Sequence, residues 1–395
     1  MCANTADAAD RTEPLDVLHV ASFTGNVGDN ANHNGTYGQL QENLGRDLRC
    51  ELLEMRKFYQ NYTKPDALAF DDSFVEQANE ADLVLIGGGS FFDLWIEDSA
   101  TGTTVDITPS RLDRIETPLV FYGLGCIPVD PTETVVRKFR QFLDHAFAAE
   151  NVMVSVRNDG SREHVRTTVG EEWAEGIEEI PDGGFFVRVD DAPHPELPPD
   201  DTVAAINVVA DMRERRFGDE AGYEEFVAEL AAFADEFLAR DDERHLLFVP
   251  HIYSDLRAIS AVLSKMDVMF RRERVTTAPY LNGPGSERYI FDLYDQADLS
   301  MGLRFHANVC SIGLETPSIG LANGHPKVGD LYRSIDCADR LVDVSSGTFR
   351  SELLDVAEDS IDKAPSISGR YREVRTELSA DLRDAHRRIE RLLEA

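Results

Sequence analysis

Lysine is scarce in this chain. Lys57, Lys64, Lys138, Lys265, Lys327 and Lys363 are six of its 39 basic residues, and the other 33 are arginine. Acidic residues number 73, so the formal net charge is -34 at pH 7. A surface of that sign repels phosphodiester backbones and anionic headgroups, which argues against nucleic acid and acidic membranes as partners. The acid is not gathered in a tail: "FDDSFVEQANEAD", "VGEEWAEGIEEIPD" and "FADEFLARDDERH" carry it along the length. At 1 M salt, repulsion among such charges is screened within ~3 Å. The composition therefore predicts adaptation to high salt, with an ordinary acidic protein as the alternative.

Cysteine pairs are lacking too. Cys2, Cys50, Cys126, Cys310 and Cys337 are odd in number, widely spaced and free of any CxxC. Neither a disulfide framework nor a metal site is indicated. No apolar run approaches the ~20 residues of a membrane span, and "MCANTADAADRTEP" has no apolar signal region. The expectation is a cytoplasmic chain with no integral membrane segment, disordered over residues 1–14. No solenoid repeat, GxGxxG or GxxxxGK is present.

What the chain does have is 42% apolar residues over 395 positions, enough for two domains of roughly 150 to 200 residues. Short runs rich in Val, Ile and Leu alternate with helical patterns, as in βαβ units of a parallel sheet. Strands are expected at 15–22, 49–55, 82–88, 118–125 and 152–157, then at 202–209, 245–251, 274–279, 298–303 and 317–322. Long helices are expected near 132–149 and over 223–239.

Between the two series "VDDAPHPELPPDD" (189–201) holds four prolines and four aspartates, which suits neither a helix nor a central strand. The chain thus reads as α/β: an N-terminal Rossmann-like domain (15–190), a linker (191–201), a C-terminal Rossmann-like domain (202–365) and a closing helix (366–395). Val374, Leu378, Leu382, Ala385, Ile389 and Leu392 share one face of that helix. Open parallel sheets bind ligands beyond the carboxyl ends of their strands, so a cleft between the domains is the expected site.

Polar residues at strand exits are the candidates for that site. "SFTGNVGDNANHNG" (22–35) reads as a glycine and asparagine loop in which Asn26 and Asp29 can hydrogen-bond a ligand, or equally as a structural turn. In "LIGGGSFFD" (85–93), Gly88 and Gly89 expose backbone N–H groups beside Ser90 and Asp93, suited to an anion or a sugar hydroxyl. Close packing of the next helix is the other use for such glycines. "SVRNDGS" (155–161) delivers Arg157 at a strand end and Ser161 at a helix start, and "PDGG" sets Asp182 in a turn.

In "SMGLRFHANVCSIGLETPSIGLANGHPKVG" (300–329), Arg304 falls at a strand exit and His306 in the first turn of a helix. Backbone donors and the positive end of the helix dipole gather there. Arginine offers a fork for carboxylate or phosphate, and histidine can move a proton near neutrality. Lys327 follows the next strand. Structural roles remain open for all three: an ion pair, a helix cap and a solvated lysine.

Taken in order, "GNVGD", "GGGSFFD", "GLGCIP", "SVRNDGS", "PDGG" and the Arg304–His306 block followed by "PSIGL" and Lys327 resemble the polysaccharide pyruvyl transferase family from about residue 22 to 332. The resemblance implies a glycosyltransferase B-like fold. It also implies transfer of a pyruvyl group from phosphoenolpyruvate to two hydroxyls of a sugar or lipid-linked glycan, with release of phosphate and no cofactor. Carried over by motif, Arg304 and His306 belong to the donor site, with Arg157 and Lys327 as further anion ligands and His306 as the acid. Asp29, Asp93 and Asp182 are the candidates for the base. The chain departs from the family at Asn158, where an aspartate commonly follows the arginine, and at Gly183 and in "LANGH". A nucleotide-sugar glycosyltransferase and a catalytically silent protein that binds anionic metabolites or glycans are the alternatives.

Overall fold

The structure, a computed structural model, describes residues 13–56, 67–345 and 347–395. The disorder expected over 1–14 falls almost wholly outside them. Two sheets of six strands are present, and every strand pairing is parallel.

The first sheet comprises β1 (Leu15–Ala21), β2 (Leu48–Glu54), β3 (Leu83–Gly87), β4 (Leu119–Leu124), β5 (Val152–Arg157) and β6 (Glu178–Ile180), in the order β2-β1-β3-β4-β5-β6. The second comprises β7 (Thr202–Asn207), β8 (Arg244–Phe248), β9 (Val275–Thr277), β10 (Leu299–Gly302), β11 (Ser318–Ala322) and β12 (Leu341–Asp343), in the order β12-β11-β10-β7-β8-β9. Ten of these strands stand where apolar runs announce them. β6 and β12 are edge strands of three residues, too short to leave a periodic signal.

Among the described residues, those up to Phe23, within Thr36–Asp182 and within Glu377–Ala395 form one compact unit, and those within Thr24–Gly35 and Gly183–Thr376 form the other. In the first, the helix Glu133–Ala148 starts at Thr132, whose side chain accepts from the N–H of Val135. It buries Val135, Phe139, Phe142, Leu143 and Ala146, and Phe139 and Phe142 meet Phe92 edge-on. Truncating such a phenylalanine to alanine costs ~3–5 kcal/mol. In the second, Asp219 caps the helix Glu220–Ala239 through the N–H of Gly222. Tyr223, Phe226, Val227, Leu230 and Phe237 pack it against β7 and β8.

The expected loop at 22–35 is mostly helix, because the helix Val27–Leu44 begins inside it. Asn26 sets the start: its Oδ1 accepts from the N–H of Gly28 and its Nδ2 donates to Asp29 Oδ1. Val27 and Ala31, one turn apart, are buried with Val203, Ala307 and Cys310, which is why this first part of the helix belongs to the second unit. Residues 189–201 carry no helix or strand, and the closing helix runs Ala364–Glu394.

Candidate functional site

In the second unit, polar side chains follow four neighbouring strand exits. Asn207 ends β7 and Asp211 follows it; His251 and Asp255 follow β8, Arg304 and His306 follow β10, and Lys327 follows β11. These are carboxyl ends of parallel strands, where open sheets bind ligands.

Arg304 stands just before the helix Phe305–Gly313 in extended conformation, and its N–H donates to Asn207 Oδ1 at 3.0 Å. Its guanidinium is held as a fork. Nε donates to Asp255 Oδ2 at 2.7 Å and Nη2 to Asp255 Oδ1 at 2.5 Å, with Asp211 Oδ2 3.3 Å from Nη2. Asp255 is fully buried, and its Oδ2 also accepts the N–H groups of His251 and Ile252 at 3.0 and 3.1 Å. Burial alone would raise the Asp211 carboxyl, but Arg304 and Arg216 outweigh it and hold Asp211 below the usual carboxylate range.

His306 is buried in the first turn of its helix, with Nδ1 3.9 Å from Asp29 Oδ1. That separation is too long for a hydrogen bond and becomes an ion pair once the imidazole is protonated. Behind it lies His251, fully buried, its Nε2 2.9 Å from the Tyr294 hydroxyl. Burial, and then the charges of Arg304 and His306, push its pKa well below the ordinary histidine value. His251 is therefore a neutral ring. Lys327 opens the helix Lys327–Ser334 and is half-buried.

In the first unit, a second cluster forms on β3, β4, β5 and β6. Arg157, at the end of β5, donates from Nε to Asp159 Oδ2 at 2.6 Å, from Nη1 to Asp182 Oδ2 at 3.4 Å and from Nη2 to Ser90 Oγ at 3.1 Å. Burial works against its charge, but Asp159 and Asp182 outweigh it and raise its pKa above the ordinary arginine value. Ser161 is turned inward: its hydroxyl donates to Asp159 Oδ1 and accepts from the N–H of Cys126.

Asn158 Oδ1 accepts the N–H of Asp182 at 3.1 Å. The carboxylate commonly expected at position 158 is thus supplied from 159. Gly88 takes a left-handed turn with φ 84° after β3, and the oxygen of Gly89 accepts the N–H of Gly125. Asp93 Oδ1 accepts the N–H of Ile127 at 2.8 Å.

The structure thus gathers Asn26, Asp29, Arg304 and His306 in one unit and Ser90, Arg157, Ser161 and Asp182 in the other. Sequence reasoning did not single out Asp211, His251 and Asp255, nor Asp159 as the partner of Arg157. Their signal was available: "FVPHIYSD" and "NVVADM" are strand exits like the one that leads to Arg304.

Against known families, residues 26–325 match the model for polysaccharide pyruvyl transferase. The chain belongs to that family. Membership implies a transferase acting on polysaccharide. No curated protein sequence matches the chain. Among solved structures, a glycosyltransferase from Rickettsia africae is similar with TM-score 0.55 at 12% identity, over 96% of this chain and 99% of that one. A putative UDP-N-acetylglucosamine 2-epimerase from Listeria monocytogenes is similar with TM-score 0.54 at 13% identity, over 91% of each chain. At such identities the likeness is one of fold. This pyruvyl transferase family member thus has a glycosyltransferase B-like α/β fold of two Rossmann-like parts with a C-terminal helix. Among its described residues, no helix is long and apolar enough to cross a membrane.

Proposed function

We propose that the protein moves a pyruvyl group from phosphoenolpyruvate onto two hydroxyls of one sugar in a glycan or lipid-linked precursor, forming a cyclic ketal. The observation that carries this reading is the family match across residues 26–325, which contains both arginine clusters and His306.

The chemistry balances without an organic cofactor. A proton adds to the terminal methylene, one sugar hydroxyl attacks the central carbon, and phosphate leaves. A second hydroxyl closes the ketal, and the two hydroxyl protons are accounted for by the new methyl group and the departing phosphate. His306 is the proton donor, and help of this kind is worth ~10²- to 10⁴-fold. Asp29, 3.9 Å from His306 Nδ1, stabilises the imidazolium and is better placed for that than Asp93 or Asp182, which serve Ile127 and Arg157. Arg304 and Lys327 bind the donor's anionic groups together with the N–H groups that open the helix Phe305–Gly313.

We read the acidic composition as adaptation to molar salt in the cytoplasm. Long-range repulsion of an anionic donor is screened there, so affinity comes from contacts. The deciding assay is phosphate release from phosphoenolpyruvate with a competent acceptor in molar KCl. His306→Ala and Arg304→Ala each lower it at least a hundredfold, and near wild-type release from either would overturn the assignment.

A further inference from the structure

A cavity of about 270 Å³ opens on the first unit, apart from the Arg157 cluster but built on the loop that follows Ser90. Leu68, Trp95, Glu97, Asp98, Thr103 and Asp106 contribute to its lining. Trp95 is one of two tryptophans in the chain and is 41% exposed. Leaving that much indole in water is unfavourable unless something covers it.

The loop beneath is braced by hydrogen bonds. The N–H groups of Trp95 and Ile96 both donate to Gly102 O, at 3.3 and 3.1 Å. Thr101 Oγ1 lies 3.2 Å from Ser99 Oγ and 2.9 Å from Thr103 Oγ1, and it donates to Val105 O at 2.6 Å. Asp106 Oδ1 accepts the N–H of Ala100 at 2.7 Å, and Lys138 Nζ ties down the carbonyls of Glu97 and Ser99. A lining fixed in advance loses little conformational freedom when a ligand arrives.

Its chemistry selects the ligand. The C–H face of a pyranose is apolar and weakly positive at hydrogen, complementary to the negative face of an indole. The carboxylates of Glu97, Asp98 and Asp106 in the same lining accept from sugar hydroxyls. Among the described residues, three carboxylates and no lysine or arginine line the cavity, so a uronic acid or a phosphorylated sugar meets like charge. The volume lies just below the usual range for ligand pockets, about 300–1,000 Å³, and suits no more than one monosaccharide.

The position fits as well. Ser90 and Asp93 precede Trp95 on one loop, and Gly125 precedes Ile127 on the other. Ile127 donates its N–H to Asp93 and accepts from the N–H of Leu94 at 3.1 Å. The loop that carries Ser90 to Arg157 thus continues into the cavity wall, braced by the Gly125–Ile127 loop.

We propose that this cavity is the subsite for an uncharged pyranose unit of the acceptor glycan, stacked on Trp95 and hydrogen-bonded to Glu97, Asp98 and Asp106. The proposal rests on the pyruvyl-transfer reading for the word acceptor, but the binding is testable without it.

In a Trp173→Phe background Trp95 is the sole tryptophan, and its emission is followed while methyl β-D-glucopyranoside, methyl β-D-galactopyranoside or methyl β-D-glucuronide is added in molar KCl. A saturable shift is expected with a neutral glycoside at millimolar concentration and none with the glucuronide. Trp95→Ala raises the KM of a neutral glycan acceptor at least tenfold and leaves the KM for phosphoenolpyruvate within twofold. Should Trp173→Phe not fold, the same titration compares the unaltered chain with Trp95→Phe.

Silence toward both neutral glycosides up to about 100 mM, or equal binding of the glucuronide, overturns the subsite. Neutral-glycoside binding without phosphate release from phosphoenolpyruvate with any acceptor sinks the transfer reading and leaves the subsite standing. Turnover with an acceptor KM indifferent to Trp95→Ala sinks the subsite alone.

Discussion

Gly28 lies against His306 so closely that a methyl group on it would stand 2.6 Å from Nδ1 and 2.7 Å from Cβ of that histidine. The backbone there is ordinary helix, and alanine in a helix interior is ~1 kcal/mol more favourable than glycine. The nearest obstacle to a side chain is that of His306. Gly28→Ala therefore trades a helix gain for an overpacking cost of ~1–3 kcal/mol; because Cβ of His306 is among the atoms met, relief requires the whole His306 side chain to shift relative to Asp29. The expected result is a folded protein, unchanged in far-UV dichroism, with turnover down ~10- to 100-fold, since misplaced catalytic groups lose rates of that order. Full activity in Gly28→Ala would show that the position of the His306 ring does not matter to the reaction.

Asp255 and Arg304 form a unit whose parts are worth less apart. Removing the carboxylate takes the bidentate acceptor from a largely buried guanidinium that keeps Asp211, and leaves the N–H groups of His251 and Ile252 without theirs. Breaking such a pair costs ~3–5 kcal/mol. Asp255→Ala should therefore lower the denaturation midpoint strongly. The double variant Asp255→Ala with Arg304→Ala should be more stable than the sum of the single losses predicts, by at least ~1 kcal/mol. Denaturant titration of all four proteins measures this, and simple additivity would mean that the fork seen here does not stabilise the fold.

How far the sequence reveals this arrangement depends on what kind of signal each residue leaves. Arg304 and His306 interrupt an apolar run, so their strand-exit position is legible. Asp255 begins the helix Asp255–Lys265, and an acid in a first turn reads as an ordinary partner of the helix dipole. Its bond to Arg304 spans 49 residues and has no local trace. The same is true of Val27 and Ala31, whose attachment to the second unit is set by Ala307 and Cys310 far along the chain. In the closing helix, the apolar spacing finds Leu382, Ala385 and Ile389, all buried, but passes over His386, which is buried with them.

Position 158 tests whether the family's commoner residue would suit this chain. Asn158 accepts the N–H of Asp182 while Asp159 and Asp182 already share Arg157. An aspartate at 158 keeps the acceptor but adds a further carboxylate near a guanidinium on which Asp159, Asp182 and Asp93 already act. Asn158→Asp should destabilise the protein by ~1–3 kcal/mol at neutral pH, because the added charge is desolvated without a partner of its own. The loss should shrink as pH falls through the carboxyl range. A variant as stable as the parent at pH 7 would mean that Asp159 does not occupy the place of the missing carboxylate.

His386 supplies the clearest pH dependence. Its Nδ1 lies 2.8 Å from Asn43 Nδ2 and its Nε2 2.8 Å from the Tyr122 hydroxyl. A backbone hydrogen bond to Gln39 favours the charged ring, but burial outweighs it. Burial is the main cause that lowers its pKa from 6.5 to about 4. Above pH 6.5 both folded and unfolded chains keep the ring neutral, and the group contributes its full stability. As pH falls from 6.5 to 4, the unfolded chain takes up a proton that the folded one refuses, so stability drops by ~1.4 kcal/mol per unit and by about 3 kcal/mol in all. Below pH 4 this group adds no further loss. His386→Gln should be less stable at pH 7.5 yet lose less on acidification to pH 4.5 than the parent, a difference that isolates this histidine from others such as His251. Thermal denaturation of both proteins across that range measures it, and parallel curves would mean that His386 takes up its proton equally well in the folded and unfolded chains.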